Sequence, residues 1–261
     1  MEKHVFNYTG KDMKVTLLSN ITSVNKEVDF MNYLPGHFVV SKAASEMTQT
    51  NIEYLTQYSS DHSPLAVTFM ADVEDIGAWD VTQTSAFYVE EGNTHLKAVD
   101  GILYKIKEDD TLEWVAYPKS KGATELVLPG NATSINLNRI DGIEKITTVT
   151  LSNDLQSILS PSTLFTNVTK LVIPKDATSF SPEILKHFPK LETVEVEGGN
   201  VNFKSVDGVL YSADGTEILC YPCKKTAEDG KFAIPEAVTS IASYAFCGSD
   251  RELEVSFHAN I

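Results

Sequence analysis

The sequence predicts a right-handed solenoid, strand-rich with little helix, whose coils place about ten short strands in one parallel β-sheet. Three observations support this fold class. The chain repeats itself, apolar residues recur at the period of a short coil, and two coils are too long by about the length of a β-hairpin. At 261 residues the chain also exceeds the usual size of a domain with a single hydrophobic core.

The repetition is direct. Residues 93–104 read Asn-Thr-His-Leu-Lys-Ala-Val-Asp-Gly-Ile-Leu-Tyr, and residues 200–211 read Asn-Val-Asn-Phe-Lys-Ser-Val-Asp-Gly-Val-Leu-Tyr. The two segments stand 107 residues apart without a gap, and ten of nineteen positions are identical when they are extended back to Ala86 and Thr193. Similarity at a fixed spacing is typical of repeat architectures.

A shorter period lies inside the longer one. Two apolar residues at alternate positions predict a short strand with one buried face, and an apolar residue seven positions later fills the far side of the same coil. The second residues of successive pairs are mostly 20–29 positions apart, which is the length of a leucine-rich repeat coil. The triplets are Val15-Leu17-Val24, Phe38-Val40-Met47, Val67-Phe69-Ile76, Phe87-Val89-Leu96, Leu126-Leu128-Ile135, Val149-Leu151-Ile158, Leu171-Ile173-Phe180, Val194-Val196-Phe203 and Phe232-Ile234-Ile241, and a tenth begins at Val255-Phe257.

Two spacings are much longer, at 39 and 38 residues, and each follows one copy of the duplicated segment. The excess predicts one β-hairpin inserted near residues 100–118 and another near residues 207–222. In the second hairpin, Asp214-Gly215 predicts a type I′ turn, because this dipeptide suits positive φ angles. Asp100-Gly101 and Asp207-Gly208 are interpreted as bends that lead into the hairpins and not as ligands.

The organisation expected from these patterns is a single continuous solenoid. Residues 1–85 are predicted to form degenerate N-terminal coils and a cap, because they share only the apolar triplets. Residues 86–261 carry the clearer repeats and both inserted hairpins.

The second half of the chain also matches a known pattern. Asn200, then Val206-Asp-Gly-Val-Leu-Tyr211 and Tyr221-Pro222, followed by Ile234-Pro235 and Ala245-Phe246, closely resembles the BspA-like leucine-rich repeat family. The resemblance covers residues 86–261 and departs from the family where Cys247 precedes Gly248. It implies a non-enzymatic bacterial protein, secreted or displayed on the cell surface, that adheres to host matrix proteins or cells.

Composition excludes several classes of protein. The net charge of −15 and the pI near 4.8 argue against a nucleic-acid partner, which needs a basic surface. No apolar stretch approaches the roughly 20 residues that span a bilayer, and the amino terminus lacks the apolar region of a signal peptide. Cys220, Cys223 and Cys247 are expected to be buried thiols or to include one disulfide.

Candidate binding residues lie on the outward face of the predicted sheet, where a partner protein could contact them. No catalytic, cofactor-binding or metal-binding residue is predicted, because the six histidines are scattered and no nucleotide-binding or hydrolase motif occurs. A glycosidase would need two carboxylates beside a cleft, and two glutamates on an open sheet do not meet that need. The predicted partner-binding residues are Tyr88, Glu90, Thr150, Glu195 and Glu197.

The favoured function is therefore non-enzymatic protein–protein interaction or adhesion, without a cofactor. An alternative is a carbohydrate-binding module of a larger surface protein, for which Tyr88 is the one exposed aromatic residue predicted on the sheet. An enzyme built on a parallel β-helix is a third possibility, and it would require a carboxylate cluster that this sequence does not offer.

Overall fold

A computed structural model describes residues 14–17, 37–40, 42, 65–76, 84–136, 142–155, 157–159, 165–225, 230–246 and 253–259. The chain forms two compact units. The first consists of residues 1–108, 114–122 and 139–142, and the second of residues 109–113, 123–138 and 143–261. The predicted division at residue 85, based on how well the repeats match, remains a prediction.

In the first unit, four strands form a parallel sheet in chain order. They are β1 (Lys14–Leu17), β2 (His37–Val40), β3 (Leu65–Phe69) and β4 (Thr84–Val89). Next come β5 (Leu96–Val99) and β6 (Ile102–Ile106), which pair antiparallel. Strand β7 (Leu112–Ala116) follows, and its residues from Trp114 onward belong to this unit. A 3₁₀ helix at Lys119–Lys121 completes the unit's regular elements among the described residues.

The second unit continues the same construction. Its strands are β8 (Glu125–Val127), β9 (Ala132–Asn136), β10 (Thr148–Thr150), β11 (Ser157–Leu159), β12 (Lys170–Ile173), β13 (Thr193–Val196), β14 (Phe203–Val206), β15 (Val209–Ser212), β16 (Glu217–Cys220), β17 (Lys231–Ala233), β18 (Ser240–Ile241) and β19 (Glu254–Ser256). Two 3₁₀ helices lie at Ile143–Lys145 and Pro182–His187. Strands β8, β10, β12 and β13 form one parallel sheet, and β17 pairs in parallel with β19.

The predicted fold class is confirmed, since both units are strand-rich, with little helix, and stack their coils. Each of the ten predicted apolar pairs lies in or directly at the end of a parallel strand: β1, β2, β3, β4, β8, β10, β12, β13, β17 and β19. Among the described residues, these strands belong to three hydrogen-bonded sheets, where the sequence predicts one. The breaks fall after β4 and β13, which are the two points where antiparallel strands follow in the chain.

The core consists of the side chains that each coil turns inward. Inward strand residues are almost fully buried at Phe69, Phe87, Leu171 and Val194, whereas those of β17 and β19 are only half-buried. The apolar residue seven positions after the strand is also buried in four described coils, at Ile76, Leu96, Ile135 and Ile158. Because these contacts join one coil to the next, a coil is stabilised by its neighbours and not by itself.

In each inserted segment, an Asp-Gly pair forms the turn between two antiparallel strands. Asp207 and Gly208 have φ angles of 50° and 77°, and they join β14 to β15 in a two-residue loop. Asp100 and Gly101 repeat this geometry between β5 and β6, with φ angles of 50° and 74°. Positive φ at both central residues defines the type I′ hairpin turn, so these pairs are the hairpin turns themselves and not bends before them.

The type I′ turn predicted at Asp214-Gly215 is wrong. Gly215 has a φ of 79°, while Asp214 is not among the residues with positive φ. The N–H of Gly215 donates to the carbonyl of Ser212 at 2.9 Å, which is the pattern of a turn followed by a left-handed glycine. Sequence alone does not distinguish the two arrangements, because both place glycine after aspartate.

The Asp214 carboxylate stabilises this second turn. Its Oδ1 atom accepts hydrogen bonds from Ser212 Oγ at 2.7 Å, Thr216 Oγ1 at 2.9 Å and Thr216 N at 3.0 Å. These bonds, first of all the one from Ser212, lower the pKa of Asp214 from 3.8 to about 2. The first inserted segment contains a related turn, in which Asp109 Oδ1 accepts from Thr111 N at 3.1 Å and from Thr111 Oγ1 at 2.6 Å.

We expect Gly208→Ala to destabilise the protein by about 1–3 kcal/mol, because a side chain at positive φ is strained. The added Cβ would also lie 2.5 Å from Thr193 Oγ1. Gly198→Ala is the matched control, since a Cβ there meets no atom within 4 Å, and its effect should stay within about 0.5 kcal/mol. Urea unfolding followed by circular dichroism measures both. Equal midpoints for the two variants would contradict the turn assignment.

We expect Ser212→Ala to raise the pKa of Asp214 toward its ordinary value. A lowered pKa means that the stabilising effect of this carboxylate is present above about pH 4 and is lost as the pH falls toward 2. Carbon-detected NMR titration of the side-chain carboxyl measures the change. Ser205→Ala, which removes a hydroxyl bonded to the Val194 carbonyl, should leave the Asp214 titration unchanged. The interpretation fails if Ser212→Ala titrates like the parent protein.

Candidate functional site

The outward face of the parallel sheet in the second unit arranges side chains in a row. Buried and accessible residues alternate along β8, β10 and β12, because successive side chains of a strand point to opposite faces. The register aligns Val127 with Thr150 and Thr150 with Val172. Glu195 of β13 comes next. Neighbouring strands lie about 4.8 Å apart, so these four residues form a continuous row, which we call the outward row.

The outward row is apolar at one end and charged at the other. The Val127 side chain is 54% exposed, which is high for an aliphatic residue, and Thr150 and Val172 are half-buried. Glu195 is exposed, and its Oε2 atom lies 2.6 Å from the Nζ atom of Lys170 on the adjacent strand. The ion pair offsets the charge of Glu195, so the row offers an apolar strip with a polar border.

Glu197 occupies a different position from its neighbour Glu195. Its Oε2 atom accepts a hydrogen bond from the backbone N–H of Lys175 at 2.9 Å, in the turn that follows β12. The two glutamates predicted as a pair therefore have separate partners, one a lysine side chain and the other a backbone N–H. This arrangement does not provide two carboxylates facing one reacting bond.

Glu90 makes the equivalent contact in the first unit. Its Oε2 atom accepts from the backbone N–H of Ala71 at 3.3 Å, in the turn that follows β3. Glu90 and Glu197 occupy the same place in the duplicated segment, so the coil-to-coil contact is repeated with the sequence. Both side chains are exposed, and each also connects its coil to the coil before it.

Tyr88 lies on the outward face of the first unit's sheet and is 50% exposed. Its ring centroid lies 5.9 Å from that of His37, a residue that the sequence reasoning did not select. Continuing the strand alternation of β2 two residues back from Val39 would have placed His37 on this face. Val39, which the same alternation places on the outward face, is only 3% exposed and is therefore covered.

The predicted residues thus lie in both units. Tyr88 and Glu90 belong to the first unit, and Thr150, Glu195 and Glu197 belong to the second. Thr150 and Glu195 share the outward row, while the two other glutamates contact turns of the preceding coils. Whether any of these residues contacts a partner remains a prediction.

Sequence reasoning missed the structural role of the asparagine that opens each duplicated segment. Asn200 Nδ2 donates to the carbonyls of Pro174 at 2.8 Å and Ala177 at 3.2 Å in the preceding coil. Its Oδ1 atom accepts from the N–H groups of Asn202 and Phe203, both at 2.8 Å. One amide therefore makes four hydrogen bonds, the full number that this side chain offers.

The first copy repeats the same arrangement. Asn93 Nδ2 donates to the carbonyls of Met70 at 3.0 Å and Val73 at 2.9 Å, and Oδ1 accepts from His95 N at 2.8 Å and Leu96 N at 2.7 Å. The sequence signal for this role was that both copies of the duplicated segment begin with asparagine. It indicates a repeated structural contact between coils, and no ligand is needed to explain it.

A repeated lysine closes each insertion. Lys121 donates to the Asp100 carbonyl at 2.6 Å, and its Nζ atom lies 2.9 Å from Asp100 Oδ2. Lys225 bonds the carbonyl of Asp207 in the second unit. Both lysines stand three residues after the proline that ends the insertion. Each of these two Asp-Gly turns is therefore bonded by the lysine that closes its insertion, and this structural contact explains why the Asp-Gly pair is repeated.

The predicted thiols lie inside the second unit. Cys220 and Cys223 are buried, and Cys223 Sγ donates to the Phe188 carbonyl at 3.4 Å. Cys247 falls outside the described residues. Within the described ranges, no group of three His, Cys, Asp or Glu side chains is placed to hold a metal ion. No helix in the described part of the chain is long and apolar enough to cross a membrane.

Comparison with solved structures gives matches of low similarity. The pneumococcal vaccine antigen PcpA is 21% identical with a TM-score of 0.42, over 69% of this chain and 42% of that one. A leucine-rich repeat protein from Eubacterium ventriosum is 17% identical with a TM-score of 0.36, over 62% of this chain and 59% of that one. A leucine rich cell surface protein from Faecalibacterium prausnitzii is 14% identical with a TM-score of 0.37, over 86% of this chain and 61% of that one.

The chain therefore spans between 42% and 61% of the length of these three structures. No curated protein sequence matches it. Residues 111–207 match a family model described as the BspA type leucine rich repeat region, in six copies. This match confirms the resemblance drawn from the sequence. Residues 111–207 of this chain are a BspA-type leucine-rich repeat region.

Proposed function

We propose that this chain is a non-enzymatic repeat scaffold that binds a protein partner through the outward row of its second unit. The supporting observation is the exposed Val127 beside Thr150 and Val172, on strands whose register is set by parallel pairing. An apolar centre with a polar border is typical of protein–protein interfaces. Because the strands hold the side chains in place, binding would need little ordering of the surface.

The proposed partner is a protein of the host matrix or of another cell surface. The BspA-type repeat region supports a location of this chain outside the cell, because the family resemblance implies secretion or surface display. The net charge of −15 is compatible with this location and disfavours association with anionic nucleic acids or lipids. The Lys170–Glu195 pair at the end of the row would favour a partner with a polar border of its own.

The absence of enzymatic activity is part of the proposal. Acid–base hydrolysis needs two carboxylates at a common cleft, one of them with a raised pKa. Glu195 is paired with Lys170, and Glu197 accepts a backbone hydrogen bond, so neither contributes to such a pair.

We expect Val127→Glu to weaken binding to the partner at least about tenfold, because it places a charge at the apolar end of the outward row. Val201→Glu is the matched control, since Val201 is 78% exposed in the same unit and lies outside the outward row. Biolayer interferometry with immobilised fibronectin, laminin and type IV collagen measures the affinity of each variant.

The proposal requires that the parent chain binds one of these proteins and that Val201→Glu binds it equally well. Equal losses in both variants would show that added charge, and not the outward row, causes the effect. Thermal unfolding of the variants, followed by circular dichroism, checks that each remains folded. Failure of the parent chain to bind any of the three proteins would overturn the proposed class of partner.

A further inference from the structure

The outward face of the first unit carries a second arrangement, which the proposed function does not use. The register aligns His37 with Ala66, and Ala66 with Ala86. Two residues further along, it aligns Thr68 with Tyr88. On the side of His37 toward β3 and β4, the aligned residues are therefore alanines, whose side chains are small, while Lys14 is aligned on the other side.

The two rings approach each other across the intervening strand. Their strands β2 and β4 are both paired to β3, so their backbones are separated by about 10 Å. The ring centroids are nevertheless only 5.9 Å apart, with an angle of 32° between the ring planes. His37 and Tyr88 must therefore both lean over β3, where the alanines leave room for them.

Thr68 holds the histidine in this position. Its Oγ1 atom lies 2.5 Å from His37 Nε2, so the imidazole is oriented by a residue of the strand that it covers. Val39, which the register places beside Thr68, is only 3% exposed. Val39 therefore leaves no space beside Thr68, whereas Tyr88 is 50% exposed and accessible to a ligand.

The composition of this surface indicates the kind of ligand. The register aligns Lys14 of β1 with His37, so a cationic residue borders the aromatic pair on one side. Glu90, the next outward residue of the chain, accepts a backbone hydrogen bond from Ala71. An aromatic surface bordered by one residue of each charge, with hydroxyl and imidazole groups at its edge, suits a ligand that is neutral, flat and rich in hydroxyl groups.

We propose that Tyr88, with His37 and Thr68, binds a sugar ring of a neutral polysaccharide. One face of a pyranose ring presents C–H groups, which pack on the aromatic surface and remove apolar area from water. The sugar hydroxyls exchange hydrogen bonds at the edge with hydroxyl and imidazole groups, which can donate or accept. The site lies in the first unit and is independent of the protein-binding row proposed for the second.

Affinity gel electrophoresis tests this site with defined probes. Native gels containing xyloglucan, galactomannan, hydroxyethyl cellulose or amylopectin are compared with a gel that contains no polysaccharide. We expect the parent chain to be retarded by at least one of the four. Tyr88→Ala should raise the apparent Kd about tenfold or more, because it removes the stacking surface, while Tyr88→Phe should keep the affinity within about threefold.

Two further variants make the result specific. His37→Ala should weaken the retardation, since it removes half of the paired aromatic surface, and Val127→Glu should leave it unchanged because that residue lies in the other unit. Retardation by none of the four polysaccharides, or equal retardation of the parent and Tyr88→Ala, would overturn the sugar site. Loss of fibronectin, laminin or collagen binding in Tyr88→Ala without any polysaccharide binding would instead assign this surface to a protein.

The outcomes also separate this inference from the proposed function. If Val127→Glu loses protein binding and no polysaccharide binds, the sugar site is wrong and the proposed function is supported. If polysaccharide binding depends on Tyr88 and the parent chain binds no protein, the sugar site is supported and the proposed function is wrong. Circular dichroism of Tyr88→Ala and His37→Ala verifies that both variants are folded.

Discussion

Each coil of this protein buries its apolar side chains against the coils beside it, and this dependence constrains everything else. Backbone hydrogen bonds keep the coils in register: Thr147 donates to Thr124 at 2.8 Å, and Thr169 donates to Thr147 at 2.9 Å. Glu192 continues the same series by donating to Thr169 at 2.8 Å. Because position within the coil determines what faces inward, it also determines which residues remain available on the outward face.

That constraint explains why the strands could be predicted well from the sequence. A residue that must be buried in every coil leaves a periodic apolar signal, and all ten predicted pairs correspond to observed parallel strands. The resemblance to the BspA-type repeat could be drawn for a related reason, since the two duplicated segments share Asp-Gly at the turn, where the backbone geometry is most demanding. Gly208, for example, combines a positive φ with a side-chain oxygen only 2.5 Å from where its Cβ would lie.

Other features could not be predicted, because they depend on contacts between distant residues. The turn at Asp207-Gly208 and the turn at Asp214-Gly215 share a dipeptide but differ in conformation, and the difference lies in how the flanking strands pair. The outward position of Tyr88 could be predicted from the alternation of residues along its strand, whereas its contact with His37 could not. The contact requires both side chains to extend across β3, and the alternation of residues within one strand does not predict contacts between side chains of different strands.

The asparagine at the start of each insertion has a consequence for which changes of sequence such arrays tolerate. Asn200 needs from the preceding coil only two backbone carbonyls, at Pro174 and Ala177, and backbone carbonyls are present whatever the side chains are. The insertion supplies its own reversing turn and its own closing lysine. The asparagine's hydrogen bonds to the preceding coil therefore tolerate changes in that coil's side chains, whereas the apolar packing between the coils does not.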